Sequence, residues 1–210
     1  MRPITLGPYT PAVASTTAFN AQGFNSTGAA VAPTTTSTSD GLAHYVTLTS
    51  PAQATLAGID FTITGTDADG HSISNTIAGP ASASTVTSTK FFKTVETIQP
   101  SATMGALTLA VGIAVTAVSP TIALTNSPAS AGMTVAVTGT INYTVYETFA
   151  NVYVHTANSV STAITALTSK SANTSGSATV SATGVLLLVN SVTAGGTFTI
   201  WLNQNSAGLA

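Results

Sequence analysis

The run GIDFTITGTDADGHSISNTIA, residues 58–78, decides the fold class. In its first half Ile59, Phe61 and Ile63 alternate with Asp60, Thr62 and Thr64. Strict alternation gives a strand with one apolar and one polar face. Asp67-Ala68-Asp69-Gly70 follows and reads as a turn, with a glycine free to adopt positive φ. Ile73 and Ile77 then resume on one face. Two alternating runs around such a turn predict a β-hairpin.

The same grammar extends in both directions. Upstream, AHYVTLTS (43–50) is rich in β-branched and aromatic residues. Downstream, TVTSTKFFKTVETIQ (85–99) predicts one long strand or two, with Phe91 and Phe92 on opposite faces. Gly79-Pro80 and Pro100-Ser101 bracket it as loops. The apolar run 106–118, ALTLAVGIAVTAV, closes a first unit at Ser119-Pro120.

Beyond that boundary the pattern restarts with Ile122 and Leu124. Met133, Val135, Val137, Ile141, Tyr143 and Val145 share one parity with Gly139 between them, which fits one long strand with a kink or a tight hairpin. FANVYVHT (149–156) reads as a further short strand. In 160–170, Val160, Ile164 and Leu167 have helical spacing, but Thr and Ser are poor helix formers, so a loop or a single turn is expected. Residues 178–192 predict a strand whose centre, VLLLV (185–189), suits burial on both faces. After Gly195-Gly196 the last strand, 197–203, turns Phe198, Ile200 and Leu202 inward and Trp201 outward.

Many short strands separated by Gly, Pro, Ser and Asn turns predict an all-β chain. The expected organisation is two antiparallel β-sandwich domains, immunoglobulin-like or jelly-roll-like, over 42–118 and 119–210. An extended N-terminal arm, 1–41, precedes them. Pro3, Pro8, Pro11 and Pro33 bar long helices and central strands from that segment. Ile4, Leu6, Tyr9, Phe19 and Phe24 give it apolar anchors. It reads as an arm docked on a surface or as an edge strand of the chain's own first domain.

Composition narrows function. Only 5% of the 210 residues are charged, against roughly 25% in an ordinary soluble domain. About one residue in five is Thr. A surface this poor in charge is hydroxyl-coated or covered by partners. Four basic residues and a net charge of −2 argue against nucleic acid, since a phosphate backbone needs several cations on one face. Lys90 and Lys93 are the one close pair, and Glu96 lies beside them. There is no cysteine, hence no disulfide and no thiolate chemistry. No apolar run approaches the roughly 20 residues of a spanning helix. The N-terminus lacks the continuous apolar core of a secretory signal.

Candidates for chemistry are few. His44, His71 and His155 show no convergent spacing, so no metal site is expected. Asp67 and Asp69 open like a calcium loop, with Asp60 the other nearby carboxylate, but the following residues lack the remaining oxygen ligands, and strands flank the segment. A turn is the expectation. No Gly-x-Ser-x-Gly elbow, phosphate loop or carboxylate pair stands out, so neither catalytic residues nor a cofactor is expected and the chain reads as non-enzymatic. Tyr143, Tyr146, Phe149 and Tyr153 cluster in sequence. They suit a core, with a sugar platform as the alternative.

Three segments carry a resemblance: Met1–Arg2–Pro3, the hairpin FTITGTDADG (61–70) and GTINYTVYETF (139–149). Together they resemble a family of tailed-bacteriophage virion proteins of about this length. The resemblance spans most of the chain and is loose through 14–40 and 151–177. It implies a virion structural component, foremost a capsid decoration or cement protein on the capsid surface, assembled in the host cytoplasm. Implied partners are the major capsid protein and other virion proteins, with a homo-oligomer, a trimer foremost. A neck, tail or head-fibre protein and a glycan-binding adhesion module are the alternatives. The resemblance assigns no catalytic residue.

Overall fold

The computed structural model describes residues 2–19, 21–24, 28–51, 56–104, 107–124, 128–149, 161–179 and 181–206. These form an all-β fold of the sandwich type, with antiparallel sheets and a single 3₁₀ turn, Thr165–Leu167. In chain order the strands are β1 (Arg2–Tyr9), β2 (Ala21–Phe24), β3 (Ala43–Thr49), β4 (Asp60–Thr66), β5 (Ser72–Ala78), β6 (Thr85–Phe92), β7 (Thr94–Pro100) and β8 (Leu107–Val118). They continue with β9 (Ile122–Ala123), β10 (Pro128–Thr138), β11 (Ile141–Thr148), β12 (Ser161–Ala163), β13 (Thr174–Ala178), β14 (Gly184–Val192) and β15 (Thr197–Ser206). The chain divides into two compact units, Val13–Ala117 and Met1–Ala12 with Val118–Ala210.

In the unit Val13–Ala117 one sheet has the order β5-β4-β7, and the other runs β8-β3-β6 with β2 also on β8. The alternation in β4 places Phe61 and Ile63 in the core, fully buried with Val95 and Ile98 of β7. Val46, Leu48, Phe92, Leu109 and Val111 are equally buried on the second sheet. Each such side chain contributes about 2 kcal/mol of burial. Phe91 faces the other way from Phe92 and stacks on Tyr45 at 3.9 Å.

The run 85–99 is two strands, β6 on β3 and β7 on β4. It changes sheets at Lys93, whose N–H reaches the carbonyl of Thr66 at 2.8 Å. The lateral opening between β5 and β6 is stitched by Asn75, whose side chain accepts the Thr89 N–H at 2.7 Å and donates to Thr89 Oγ1 at 3.1 Å. A strand edge answered in this way is a poor template for another chain.

In the other unit the sheets are β1-β15-β10-β13 and β12-β11-β14, with β9 on β14. Phe198, Ile200 and Leu202 face inward with Val135, Met133, Tyr143, Val145, Val185 and Leu187. The segment 133–145 is neither a single kinked strand nor a hairpin. β10 pairs with β13 and β15, whereas β11 pairs with β12 and β14. The chain crosses between sheets at Gly139, whose φ of +67° suits glycine.

The stretch 178–192 is likewise not one strand: β13 and β14 lie in different sheets. Val185, Leu187 and Val189 are fully buried, and Leu186 and Leu188 are half-buried. Thr165–Leu167 supplies the expected single turn and buries Leu167. The strand expected over 149–156 falls largely outside the described residues, as do His155 and Tyr153.

The N-terminal 41 residues do not form an arm apart from the domains. Arg2–Tyr9 pairs antiparallel with β15, Leu6 opposite Ile200, and the Tyr9 ring lies 5.4 Å from that of Phe198. The pairing covers an edge that β15 would otherwise expose. The rest belongs to the unit Val13–Ala117. Ser15 bridges to Ile113, Val31 to Ile98 and Ser37 to Thr94. Phe19 is fully buried. The approach at Ser15 needs Gly112, because a Cβ there would meet the Ser15 carbonyl oxygen. The backbone N–H groups of Ser15, Phe19, Val31 and Thr38 and the rings of Tyr9 and Phe19 find partners within the chain, which is why the segment folds in.

Candidate functional site

The polar residues that could carry chemistry are dispersed and engaged structurally. His44 is fully buried on β3, with Nε2 2.8 Å from Asp40 Oδ2 and Nδ1 2.9 Å from the carbonyl oxygen of Ala114. It braces the segment before β3 against β8. Asp67 caps the β4–β5 turn: Oδ1 accepts the N–H groups of Asp69 and His71, both at 2.9 Å. His71 Nδ1 lies 3.5 Å from Asp67 Oδ2. The carboxylate that opens the calcium-like run is thus used by the turn itself, and Asp60 and Asp69 are exposed. Among the described residues no three His, Asp or Glu side chains converge on a metal position. Lys90 Nζ donates to the Ser74 carbonyl at 2.8 Å, and Glu147 is buried, accepting the Thr179 N–H at 2.7 Å.

Of the aromatic cluster in sequence, Tyr143 is withdrawn from any surface platform. Tyr143 is in the core and its hydroxyl donates to the Ala172 carbonyl at 2.9 Å. Burial holds its pKa above the ordinary value of 10.0, with a hydrogen bond to Thr174 acting in the opposite sense. Tyr146 is half-buried, and Phe149 is 41% exposed.

The faces turned away from the cores are more distinctive. They carry pairs of hydroxyls, each bonded across a strand pair or between adjoining strands. In the first unit these are Thr62–Thr76 at 3.1 Å, Thr64–Thr97 at 2.7 Å, Thr66–Thr94 at 2.7 Å and Thr49–Thr85 at 2.8 Å. In the second they are Thr134–Ser175 at 2.9 Å and Thr138–Thr197 at 2.7 Å. Cross-strand Thr pairs stabilise a sheet and satisfy one another's polar atoms. On the β1-β15-β10-β13 face, Trp201 stands among them, 43% exposed.

No family model, no curated protein and no solved structure matches this chain. The candidate functional surface therefore rests on the geometry of these faces. Sequence alternation had already turned Trp201 outward. The hydroxyl pairs were not legible as pairs, because register across distant strands sets them.

Proposed function

We propose that this chain is a structural component of a bacteriophage particle, a capsid decoration protein that stabilises the head by bridging neighbouring capsomers. The observation that carries the reading is the pre-paired hydroxyl faces. A face whose hydroxyls already bond to each other loses little hydration when a neighbour covers it, unlike a face of free charges. The scarcity of charge, the dispersal of the few ionisable groups and the resemblance of 61–70 and 139–149 to tailed-phage virion proteins point the same way.

In this reading the partners are the major capsid protein and further copies of the chain, a trimer being the form that suits threefold positions on a capsid. Each contact is modest, and repetition with the symmetry of the shell makes capture strong. The site of action is the capsid surface, after assembly in the host cytoplasm.

Copy number decides the matter. Quantitative mass spectrometry of purified particles from the phage that encodes this chain is expected to find on the order of hundreds of copies per particle, the scale set by repeated capsomers. A few copies would assign it to the neck, tail or a fibre instead, and absence from the particle would end the reading.

A further inference from the structure

The outer face of the β1-β15-β10-β13 sheet has an arrangement that the decoration role does not require. Register places Thr5, Trp201, Thr134 and Ser175 in one row across the four strands. The next row on the same face is Pro3, Asn203, Gly132 and Ser177. Trp201 and Asn203 are both exposed, and neither row contains a formally charged residue. Beside Trp201 and Asn203 the face is open: a Cβ built on Gly132 would meet nothing within 4 Å. Strand spacing makes Trp201, Asn203, Gly132 and Thr134 the corners of a rectangle of about 5 by 7 Å, the footprint of one pyranose ring.

The chemistry of those corners selects the ligand. An anionic group would find no cation in either row and would lose hydration without compensation. A lipid or an extended apolar partner needs a contiguous apolar patch, and Trp201 is the single large apolar side chain in the two rows. A neutral sugar matches both elements. Its C–H face packs on the indole, which offers large area at small entropic cost. Its hydroxyls meet the Asn203 amide, which both donates and accepts, and the hydroxyl of Ser177. The open space over Gly132 leaves room for the ring to lie flat.

The geometry points to a binding site for neutral hexopyranose chains centred on Trp201, with Asn203 as its main polar contact and Gly132 as its floor. The site would serve attachment of the protein to a neutral glycan.

Trp201 is the sole tryptophan of the chain, so its emission reports this site alone. The full-length chain is titrated with linear hexasaccharides of β-1,4-glucose, α-1,4-glucose, β-1,4-mannose and β-1,4-galactose, following fluorescence and, in parallel, isothermal calorimetry. At least one is expected to give a saturable emission shift with a dissociation constant on the order of 0.01–1 mM. Trp201→Ala removes the calorimetric signal. Gly132→Val places a side chain where the ring would lie, weakens binding at least about tenfold, and leaves the melting temperature close to the parent value because the added atoms enter open space. Silence of all four sugars overturns the proposal, as does binding that survives both substitutions. A Trp201→Ala variant that changes only the sedimentation coefficient overturns it too and gives the face to a second copy of the chain.

Discussion

His44 Nε2 stands 2.8 Å from Asp40 Oδ2 in a fully buried setting, the two side chains 0% and 3% exposed. The other ring nitrogen faces the Ala114 carbonyl, which can only accept, so Nδ1 is the donor there. Asp40 Oδ1 also takes the Leu42 N–H at 3.0 Å. One small cluster thus ties the segment before β3 to β3 itself and to β8. Asp40→Ala takes the carboxylate away from His44 Nε2 in the interior and is expected to cost about 3 kcal/mol in urea unfolding. A loss below about 0.5 kcal/mol, the range of ordinary surface changes, would show that the cluster does not brace the unit.

In the β4–β5 turn Asp67 Oδ1 reinforces the backbone bonds from Asp67 N–H to the His71 carbonyl and from Gly70 N–H to the Asp67 carbonyl. Asp67→Ala removes the acceptor of two N–H groups and is expected to lower stability by about 1–2 kcal/mol, while Asp67→Asn, which keeps an acceptor, loses less. Because the turn consumes Asp67, calcium is expected to leave the melting temperature of the parent chain unchanged. A calcium-dependent rise would mean that the loop binds the ion in preference to its own backbone.

Tyr143 sets an alkaline limit. Burial holds its pKa in the folded chain above the 10.0 of an exposed phenol. The folded state therefore keeps a proton that the unfolded state gives up first. The stability linked to it is complete below pH about 10 and is lost as pH rises through the folded value. Urea midpoints at about pH 8 and about pH 11 should fall for the parent and fall less for Tyr143→Phe. That variant pays about 1 kcal/mol at neutral pH for its lost bond to Ala172. Tyr9 is raised by burial as well, so some alkaline slope remains in the variant. Equal slopes in the two proteins would remove Tyr143 from the account.

Local alternation made the β4–β5 hairpin and the inward set Phe198, Ile200 and Leu202 legible, because each face declares itself within a few residues. Partners in space were not legible. The change of sheet at Lys93 has neither Gly nor Pro to mark it, so 85–99 looked as much like one strand as two. Gly139 did mark a break, but nothing local says that β10 leaves for β15 while β11 leaves for β14. At the N-terminus the alternation of Ile4 and Leu6 with Pro3, Thr5 and Gly7 was a usable strand signal, masked by the prolines. The candidate site divides in the same way. Trp201 could be read as outward, whereas its neighbours Gly132 and Thr134 are brought beside it only by the long-range register of β10 with β15.

Antiparallel pairing with β15 makes β1 part of the fold, which changes what truncation does. Deleting residues 1–9 exposes the edge of β15 and uncovers Phe198 beside Tyr9. The truncated chain is expected to melt at lower temperature and to aggregate at concentrations where the parent stays clear, by calorimetry and light scattering. Unchanged melting and clarity would show that β1 is a dispensable strap and would restore the detachable arm.

The proposed self-association makes a prediction about salt. Ion-pair contacts weaken as the screening length shortens from about 14 Å to about 4 Å between roughly 0.05 and 0.5 M salt, whereas contacts between neutral hydroxyl and apolar surfaces do not. Sedimentation equilibrium of the full chain is expected to show a trimer whose dissociation constant changes by less than about threefold over that range. A steep weakening with salt would place the few charges, Lys90, Lys93 and Glu96 among them, at the contact. A monomer at every concentration would remove the trimer. Because the hydroxyl pairs satisfy themselves within each sheet, breaking one without disturbing the core separates the two roles of the face. Thr62→Val leaves Thr76 exposed to water and keeps a β-branched side chain on β4, so unfolding should be almost unchanged while any contact made through that face weakens.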